Sequence, residues 1–283
     1  IGFHGEGLER IHKATKLATG MILNTGPTGS GKTTTLYTII DILNTPDVNI
    51  STIEDPVEYQ MNRINQTQVK PEIGLTFATG MRTLVRQDPD IIMVGEIRDD
   101  ETASLGINAA LTGHLVLSTL HTNSASGAIP RLIDMKVEPF LLVSTLAVVI
   151  GQRLVRKLTD KKEKYLLTPA ELKTLSKTVD MERVLKFLKE EKVVDAKASW
   201  EKIPFWRPQG GIDPEEGFSG RIGIHEVLTI SPAIKEMVMQ GKTEKDIEAQ
   251  AKSEGMLTML EDGIFKAVQG QTTIEEILRV VTE

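Results

Sequence analysis

A glycine-rich segment near the start constrains this chain more than any other feature of its sequence. The segment matches G-x-x-x-x-G-K-[ST] at every fixed position and reads Gly26-Pro27-Thr28-Gly29-Ser30-Gly31-Lys32-Thr33. An apolar run over residues 21–25 precedes it, and a helical pattern over residues 31–43 follows it. A strand, a glycine-rich turn and a helix in this order turn backbone amides and a helix N-terminus toward a bound phosphate. The segment therefore predicts a nucleotide-binding site.

Each part of this segment has an expected role in binding Mg-ATP. Glycines let the backbone amides turn inward without Cβ clashes. Lys32 is expected to reach the β- and γ-phosphates, and the Thr33 hydroxyl to ligate Mg²⁺. The predicted nucleotide-binding residues are Gly26, Pro27, Thr28, Gly29, Ser30, Gly31, Lys32, Thr33 and Thr34. We expect the chain to bind Mg-ATP and to hydrolyse it.

Short apolar runs alternate with helical patterns through the first half and predict an α/β fold. Buried strands are predicted at residues 21–25, 48–53, 90–94 and 115–119. Thr76 is expected to cap a helix over 77–87, and Asp99 or Asp100 a helix that ends at Gly113. This order predicts a mainly parallel, doubly wound sheet. Antiparallel strands are predicted within residues 57–69, and a buried helix over residues 140–150.

The pattern changes after about Lys157. Thr168-Pro169-Ala170-Glu171 matches a capping box, which opens a lysine-rich helical stretch to about Lys192. Residues 204–220 are rich in Pro and Gly and predict a loop, followed by a strand over 221–228 and a helical tail to Glu283. We predict a core at 1–157, a helical insert at 158–215 and a C-terminal strand and helical subdomain at 216–283.

Composition limits the function classes. The chain has 33 basic and 39 acidic residues and a net charge of −6, whereas nucleic-acid binders more often carry a basic surplus. It has no cysteine, which excludes disulfides and cysteine-ligated zinc. Its longest apolar stretch is too short to span a bilayer. Because the chain starts at Ile1 without Met and close to the first motif, it is expected to be a piece of a longer protein.

Two carboxylates are predicted to lie beside the phosphate loop. Glu54 and Glu96 each follow an apolar strand, and ligands of parallel sheets bind at the carboxyl ends of strands. Hydrolysis needs groups that position Mg²⁺ and orient water, and these two residues are the candidates. Glu96 is also predicted to contribute to the Mg²⁺ site. It departs from the usual pattern, in which this strand ends in Asp.

Two histidines and two arginines complete the candidate catalytic set. His114 and His121 flank the predicted strand over 115–119, which fits sensing of the nucleotide or positioning of water. Metal binding is the weaker alternative because no third ligand is nearby. Arg82 and Arg86 lie on the helix before Pro89. They are either a basic helix face paired with acids or arginine fingers that act on ATP, which includes ATP bound by a neighbouring subunit.

These motifs together resemble the secretion ATPases of type II secretion and type IV pilus assembly. The resemblance covers Walker A (residues 26–35), an Asp box (50–58), the Walker B region (75–98), a His box (112–123) and segments 151–158 and 217–226. It implies a RecA-like C-terminal motor domain of a homohexamer on the cytoplasmic face of the inner membrane, working with an inner-membrane platform protein. It also implies an N-terminal domain that is absent here and supplies some of the arginines, and no nucleic-acid partner.

The chain departs from that family in one region. Many members carry two CxxC pairs that bind zinc, and the corresponding positions here are Thr159, Lys162, Gly210 and Asp213. No zinc is therefore expected, and the helical insert is expected to pack as a small accessory unit.

Several functions remain open at this point. The leading interpretation is a motor for pilus assembly or type II secretion, which the sequence does not separate. The tail over 262–276 resembles the assembly and secretion branch more than the pilus-retraction branch of the same superfamily. A RecA-like DNA translocase would need a basic or aromatic channel, and the aromatic content of 4% argues against it. A nucleotide-gated subunit that does not turn over ATP is disfavoured by Glu54 and Glu96.

Overall fold

The computed structural model describes residues 1–210 and 214–282, which form two compact units. The first, here called the sheet unit, consists of Glu6–Gln152 and Val227–Met256. The second, here called the accessory unit, consists of Ile1–Gly5, Arg153–Glu226 and Leu257–Glu283. The sequence predicted three functional domains, at 1–157, 158–215 and 216–283. That division stays a prediction.

A seven-stranded sheet confirms the predicted α/β class. Its strands are β1 (Gly20–Thr25), β2 (Ile50–Glu54), β3 (Ile64–Gln68), β4 (Ile91–Val94), β5 (Leu115–Leu120), β6 (Leu146–Leu158) and β9 (Phe218–Thr229). They lie in the order β3-β2-β4-β5-β1-β6-β9. β1 pairs parallel with β5 and β6, and β2 pairs parallel with β3 and β4. Strands β1, β2, β4 and β5 are buried along their whole length, as parallel strands covered on both faces require.

Helices cover this sheet, and two of them begin at caps that the sequence predicts. They are α1 (Gly5–Thr15), α2 (Lys32–Leu43), α3 (Phe77–Leu84), α4 (Asp100–Leu111), α5 (Ala128–Asp134), α6 (Pro139–Thr145), α9 (Pro232–Met239) and α10 (Glu244–Ser253). Thr76 caps α3 in a capping box with Thr79, and Asp99 caps α4 through the Thr102 amide. Both predicted N-termini are confirmed, and a 3-10 turn at Val85–Gln87 continues α3 to its predicted end.

Two element predictions in this unit are wrong. Residues 140–150 were expected as one helix, but α6 ends at Thr145 and β6 begins at Leu146. The β-branched run Val148-Val149-Ile150 favours a strand, and it fills the sheet beside β1. The alternation within 57–69 was expected to mark antiparallel strands, but β3 pairs parallel with β2. Alternation of apolar and polar residues indicates which face of an edge strand is buried, but it does not indicate whether the strand pairs parallel or antiparallel.

In its described residues, the accessory unit includes a two-stranded ribbon and four α-helices. Its elements are β7 (Lys162–Tyr165), α7 (Pro169–Leu175), α8 (Met181–Glu190), β8 (Phe205–Pro208), α11 (Met259–Val268) and α12 (Ile274–Thr282). The capping box of Thr168 and Glu171 is confirmed at α7. The predicted loop over 204–220 is wrong in part, because β8 lies within it and pairs antiparallel with β7. β9 also starts at Phe218, before the predicted Arg221.

Phe205 and Phe265 lie fully inside the core of the accessory unit, among side chains of α8, α11 and α12. Of the positions that correspond to the family's zinc ligands, Lys162 begins β7 and Asp213 lies outside the described residues. Across the described part of the chain, no helix is both long and apolar enough to cross a bilayer.

A buried charge cluster ties together three segments of the accessory unit. Lys266 Nζ donates to Asp262 Oδ2 at 2.6 Å, and the His225 amide donates to the same oxygen at 2.7 Å. His4 Nε2 donates to the other oxygen, Oδ1, at 2.7 Å. Burial alone would raise the pKa of Asp262, but the charge of Lys266 and the hydrogen bond from His4 bring that pKa down to about 2. The carboxylate is therefore held charged inside the unit.

Replacing Asp262 by Asn is expected to destabilise the chain by about 3–5 kcal/mol, because it leaves the buried Lys266 ammonium without its counter-ion. Urea unfolding at neutral pH measures this loss. Because the folded pKa of Asp262 lies below the unfolded value, its contribution is complete above about pH 4 and declines as the pH falls toward about 2. Asp134→Asn, at an exposed position, serves as the control. Equal stability of the two variants would contradict the prediction.

Candidate nucleotide-binding site

The loop between β1 and α2 has a backbone shape that favours glycine at its main turns. Gly26, Gly29 and Gly31 have φ values of 151°, 78° and 86°. A Cβ at Gly26 would lie 2.4 Å from the Gln152 carbonyl oxygen and 2.6 Å from Ser30 Oγ. Positive φ and this close approach both exclude a side chain at Gly26. The local geometry therefore requires glycine at position 26 and favours it at positions 29 and 31.

The loop leaves hydrogen-bonding groups available at the start of α2. The first turn of a helix has amides without intrahelical partners, and no side chain caps α2. The Ser30 hydroxyl is buried and, among the described residues, finds no hydrogen-bond partner. An anion at this helix N-terminus would satisfy these donors. The residues present thus fit a bound phosphate.

Lys32 lies inside the loop. Its Nζ donates to the carbonyl oxygens of Gly26 at 2.8 Å and Pro27 at 2.9 Å. Burial lowers the pKa of Lys32, and the negative charge of Glu96 opposes part of that shift. Of the remaining predicted loop residues, Thr28 and Thr34 are exposed and Thr33 is half-buried in the first turn of α2. The lysine is thus placed to meet an anion that the loop amides bind.

A buried network of side-chain hydrogen bonds, which sequence reasoning missed, holds the loop in place. The Gln152 side chain donates to the Ser30 carbonyl at 2.8 Å and accepts from Thr35 Oγ1 at 2.7 Å and Asn24 Nδ2 at 3.1 Å. Asn24 Nδ2 also donates to the Lys32 carbonyl at 3.3 Å. The available sequence signal is one polar residue, Gln152, at the end of an otherwise apolar run in β6.

Glu96, Lys32 and His121 come together at the carboxyl ends of β4, β1 and β5. Glu96 Oε1 accepts from Arg98 Nη2 at 2.6 Å, and Oε2 lies 3.4 Å from His121 Nε2. Burial would raise the pKa of Glu96, but the hydrogen bond and charge of Arg98, then the charges of His121 and Lys32, hold it below its ordinary value. Glu96 is therefore a charged carboxylate facing the phosphate loop, and Arg98 is a contact that the predicted set did not include.

Glu54 occupies a different environment. It ends β2 and is 1% exposed. Its carboxylate accepts hydrogen bonds from the hydroxyls of Tyr37 and Thr52, and Gln66 Nε2 lies 3.3 Å from Oε1. The two predicted glutamates therefore lie at neighbouring strand ends: Glu96 is partly buried, with Lys32 among the charges acting on it, and Glu54 is enclosed by neutral donors.

The structure separates the two predicted histidines. His121 follows the carboxyl end of β5, whereas His114 precedes its amino end, with the strand Leu115–Leu120 between them. Six residues of strand span about 20 Å. His114 is buried, and its Nδ1 lies 2.9 Å from the Ala109 carbonyl oxygen at the end of α4. Only His121 of the pair thus lies at the edge of the sheet that carries the phosphate loop.

The two predicted arginines lie on the surface of the sheet unit. Arg82 of α3 pairs with Glu101 of α4, and Arg86 is exposed in the turn after α3. Among the described residues, neither takes part in the hydrogen bonds around Glu96. The pairing of Arg82 agrees with the interpretation of a basic helix face paired with acids. Arg86 is exposed and therefore accessible to another molecule.

Comparison with known proteins gives the family. A family model described as "Type II/IV secretion system protein" matches residues 1–279. The chain belongs to this secretion-protein family. Among its relatives, type II secretion system protein E of Xanthomonas campestris is 48% identical over 284 residues, covering 100% of this chain and 47% of that protein. The type IV pilus assembly ATPase PilB of Thermus thermophilus is 44% identical over 279 residues, covering 98% and 30% respectively.

This secretion-family chain therefore spans about half or less of the length of those relatives. Among solved structures, the pilus retraction motor PilT with bound ADP has a TM-score of 0.68 and 29% identity, covering 99% of this chain and 65% of that one. The ATPase DotB of Legionella pneumophila shares the fold, with a TM-score of 0.63 and 24% identity. The predicted family and fold are confirmed.

Replacing Gln152 by Leu in this secretion-family chain is expected to weaken ADP binding about tenfold or more. The change removes three hydrogen bonds that hold the loop and leaves buried polar groups unsatisfied, at a cost of about 1–3 kcal/mol each. Titration with a fluorescent ADP analogue measures the affinity, and thermal unfolding measures the stability. Gln240→Leu, at an exposed position, is the control. Unchanged affinity in Gln152→Leu would show that the loop keeps its shape without this support.

Proposed function

We propose that this chain is the ATP-hydrolysing motor domain of a hexameric secretion ATPase that powers type IV pilus assembly or type II secretion. The observation that carries the proposal is the grouping of Lys32, Glu96 and His121 at the carboxyl edge of the sheet, beside an uncapped helix N-terminus. Relatives at 41–48% identity carry names for secretion and pilus assembly, and this supports that branch over retraction. The retraction motor PilT is the alternative, on its structural similarity at 29% identity.

Each residue of the site has a role in this proposal. The amides of the 26–33 loop bind the β- and γ-phosphates, and Lys32 exchanges its loop carbonyls for phosphate oxygens. Thr33 and Glu96 would hold Mg²⁺, the latter through water. When bound, this ion neutralises charge on the phosphates. Glu96 and Glu54 orient the attacking water, and His121 responds to the state of the nucleotide through Glu96.

The remaining features of the proposal come from the family resemblance. The working form is a homohexamer with an N-terminal domain that precedes this chain. It docks on an inner-membrane platform protein at the cytoplasmic face and uses neither nucleic acid nor zinc. Arg82 and Arg86 would act on the ATP of a neighbouring subunit: both are exposed, and Arg82 would have to exchange Glu101 for the phosphates. The predicted domains 1–157, 158–215 and 216–283 would be the motor core, the insert and the C-terminal subdomain.

Lys32→Ala is expected to abolish tight Mg-ATP binding, because it removes the cation inside the loop. Glu96→Gln and Glu54→Gln are expected to bind Mg-ATP normally and to lose turnover by about 10²-fold or more. Calorimetric titration and a phosphate-release assay separate binding from turnover. Lys245→Ala and Glu72→Gln, at exposed positions, are matched controls. Hydrolysis at the parental rate in both glutamate variants would overturn the assignment.

The two histidines are expected to respond differently to substitution. His121→Ala should lower turnover about tenfold with an unchanged unfolding midpoint, because the side chain is half-exposed beside Glu96. His114→Ala should instead lower the free energy of unfolding by about 1–3 kcal/mol, since it removes a buried contact with the Ala109 carbonyl. Turnover and urea unfolding of both variants test this. A selective loss of turnover in His114→Ala would assign it a catalytic role after all.

A further inference from the structure

Glu54 is enclosed by a specific set of hydrogen-bond donors. Tyr37 of α2 donates to Oε2, and Thr52 of β2 donates to Oε1. Gln66 of β3 places Nε2 3.3 Å from Oε1. Among the residues that the structure describes, no cation pairs with this carboxylate. Its position is therefore set by three neutral side chains from three different elements.

The enclosure constrains what Glu54 can do. A carboxylate has about four lone-pair sites, so three donors leave it about one further hydrogen bond. Burial, followed by the hydrogen bond and charge of Glu54, raises the pKa of Tyr37 above its ordinary value. The Tyr37 hydroxyl thus keeps its proton and stays a donor at neutral pH. The direction of the one remaining lone pair is fixed by the other three contacts.

Gln66 also connects this carboxylate to an exposed part of the chain. Its Nε2 lies 3.1 Å from the Tyr59 carbonyl oxygen and 3.4 Å from the Tyr37 hydroxyl, and its Oε1 accepts from the Met61 amide at 2.7 Å. The Tyr59 ring is 56% exposed and packs edge-on against Tyr37 at 4.7 Å. The Glu58 amide also donates to the Tyr37 hydroxyl at 3.4 Å. Segment 57–62 and the Glu54 carboxylate therefore share one hydrogen-bond network.

We propose that Tyr37 and Gln66 are positioning residues for Glu54, which direct its remaining lone pair so that it orients the water that attacks ATP. Gln66 makes that orientation depend on the conformation of segment 57–62. The inference rests on the proposed ATP hydrolysis and adds to it two residues that touch neither nucleotide nor metal. A positioning role of this kind affects the chemical step and leaves nucleotide binding to the loop and Lys32.

The test is steady-state ATP hydrolysis by Tyr37→Phe and Gln66→Met in this chain. Each is expected to lower kcat about fivefold to tenfold, because each removes one hydrogen bond to Glu54, worth about 1 kcal/mol, with KM within about twofold of the parent. Gln66→Glu is expected to lower kcat further, because its carboxylate would lie against Glu54. Tyr165→Phe, a half-buried tyrosine of the accessory unit, is the matched control and should retain the parental kcat.

The outcomes separate this inference from the function on which it rests. Parental kcat in both Tyr37→Phe and Gln66→Met would overturn the positioning role while leaving the ATPase proposal intact. A raised KM that accounts for the whole effect in both variants would assign the network to nucleotide binding, and a lowered unfolding midpoint that does so would assign it to folding. Either result would also overturn the positioning role. A parent chain that binds ATP but hydrolyses none would overturn the proposed function first, and the inference with it.

Discussion

The uncapped start of α2 is the constraint on which the rest of the site depends. A helix N-terminus without a side-chain cap keeps its amides free only if the preceding loop stays open. Three glycines with positive φ give the loop its turns, and Gln152 holds the Ser30 carbonyl so that the loop cannot relax. Lys32 lies within that shape, and Glu96 faces it. The candidate anion site is therefore built mainly from backbone, and its side chains fix its shape and charge.

Local signals in the sequence predicted the elements that local chemistry determines. The caps at Thr76, Asp99 and Thr168 were predicted correctly, because a hydroxyl or carboxylate and an amide three residues on suffice to define a helix start. Strand direction and the boundary between α6 and β6 were not predictable in this way. The direction of β3 depends on the path of the preceding loop, and Leu146 starts a strand because β1 lies beside it.

The candidate site shows the same limit. Lys32 and Glu96 could be placed from the motif and from the rule that strand ends meet at one edge of a sheet, and the structure brings them together with His121. His114 was grouped with His121 because both flank β5, but the strand between them puts the two residues at opposite edges of the sheet, as its predicted position already implied. Gln152 and Tyr37 reach the site across the fold. Their contacts depend on where α2 packs against the sheet, next to β1 and β5, which no local pattern encodes.

The buried pair of Asp262 and Lys266 has a consequence for how this chain can diverge in evolution. Exchanging both residues for apolar side chains of similar volume is close to neutral in proteins where this has been tested, whereas losing either partner alone strands a charge in the core. Each single replacement is thus less stable than both the original pair and the fully apolar pair. Among descendants of this gene, the two positions should vary as a couple, and His4, whose ring also bonds Asp262, should vary with them.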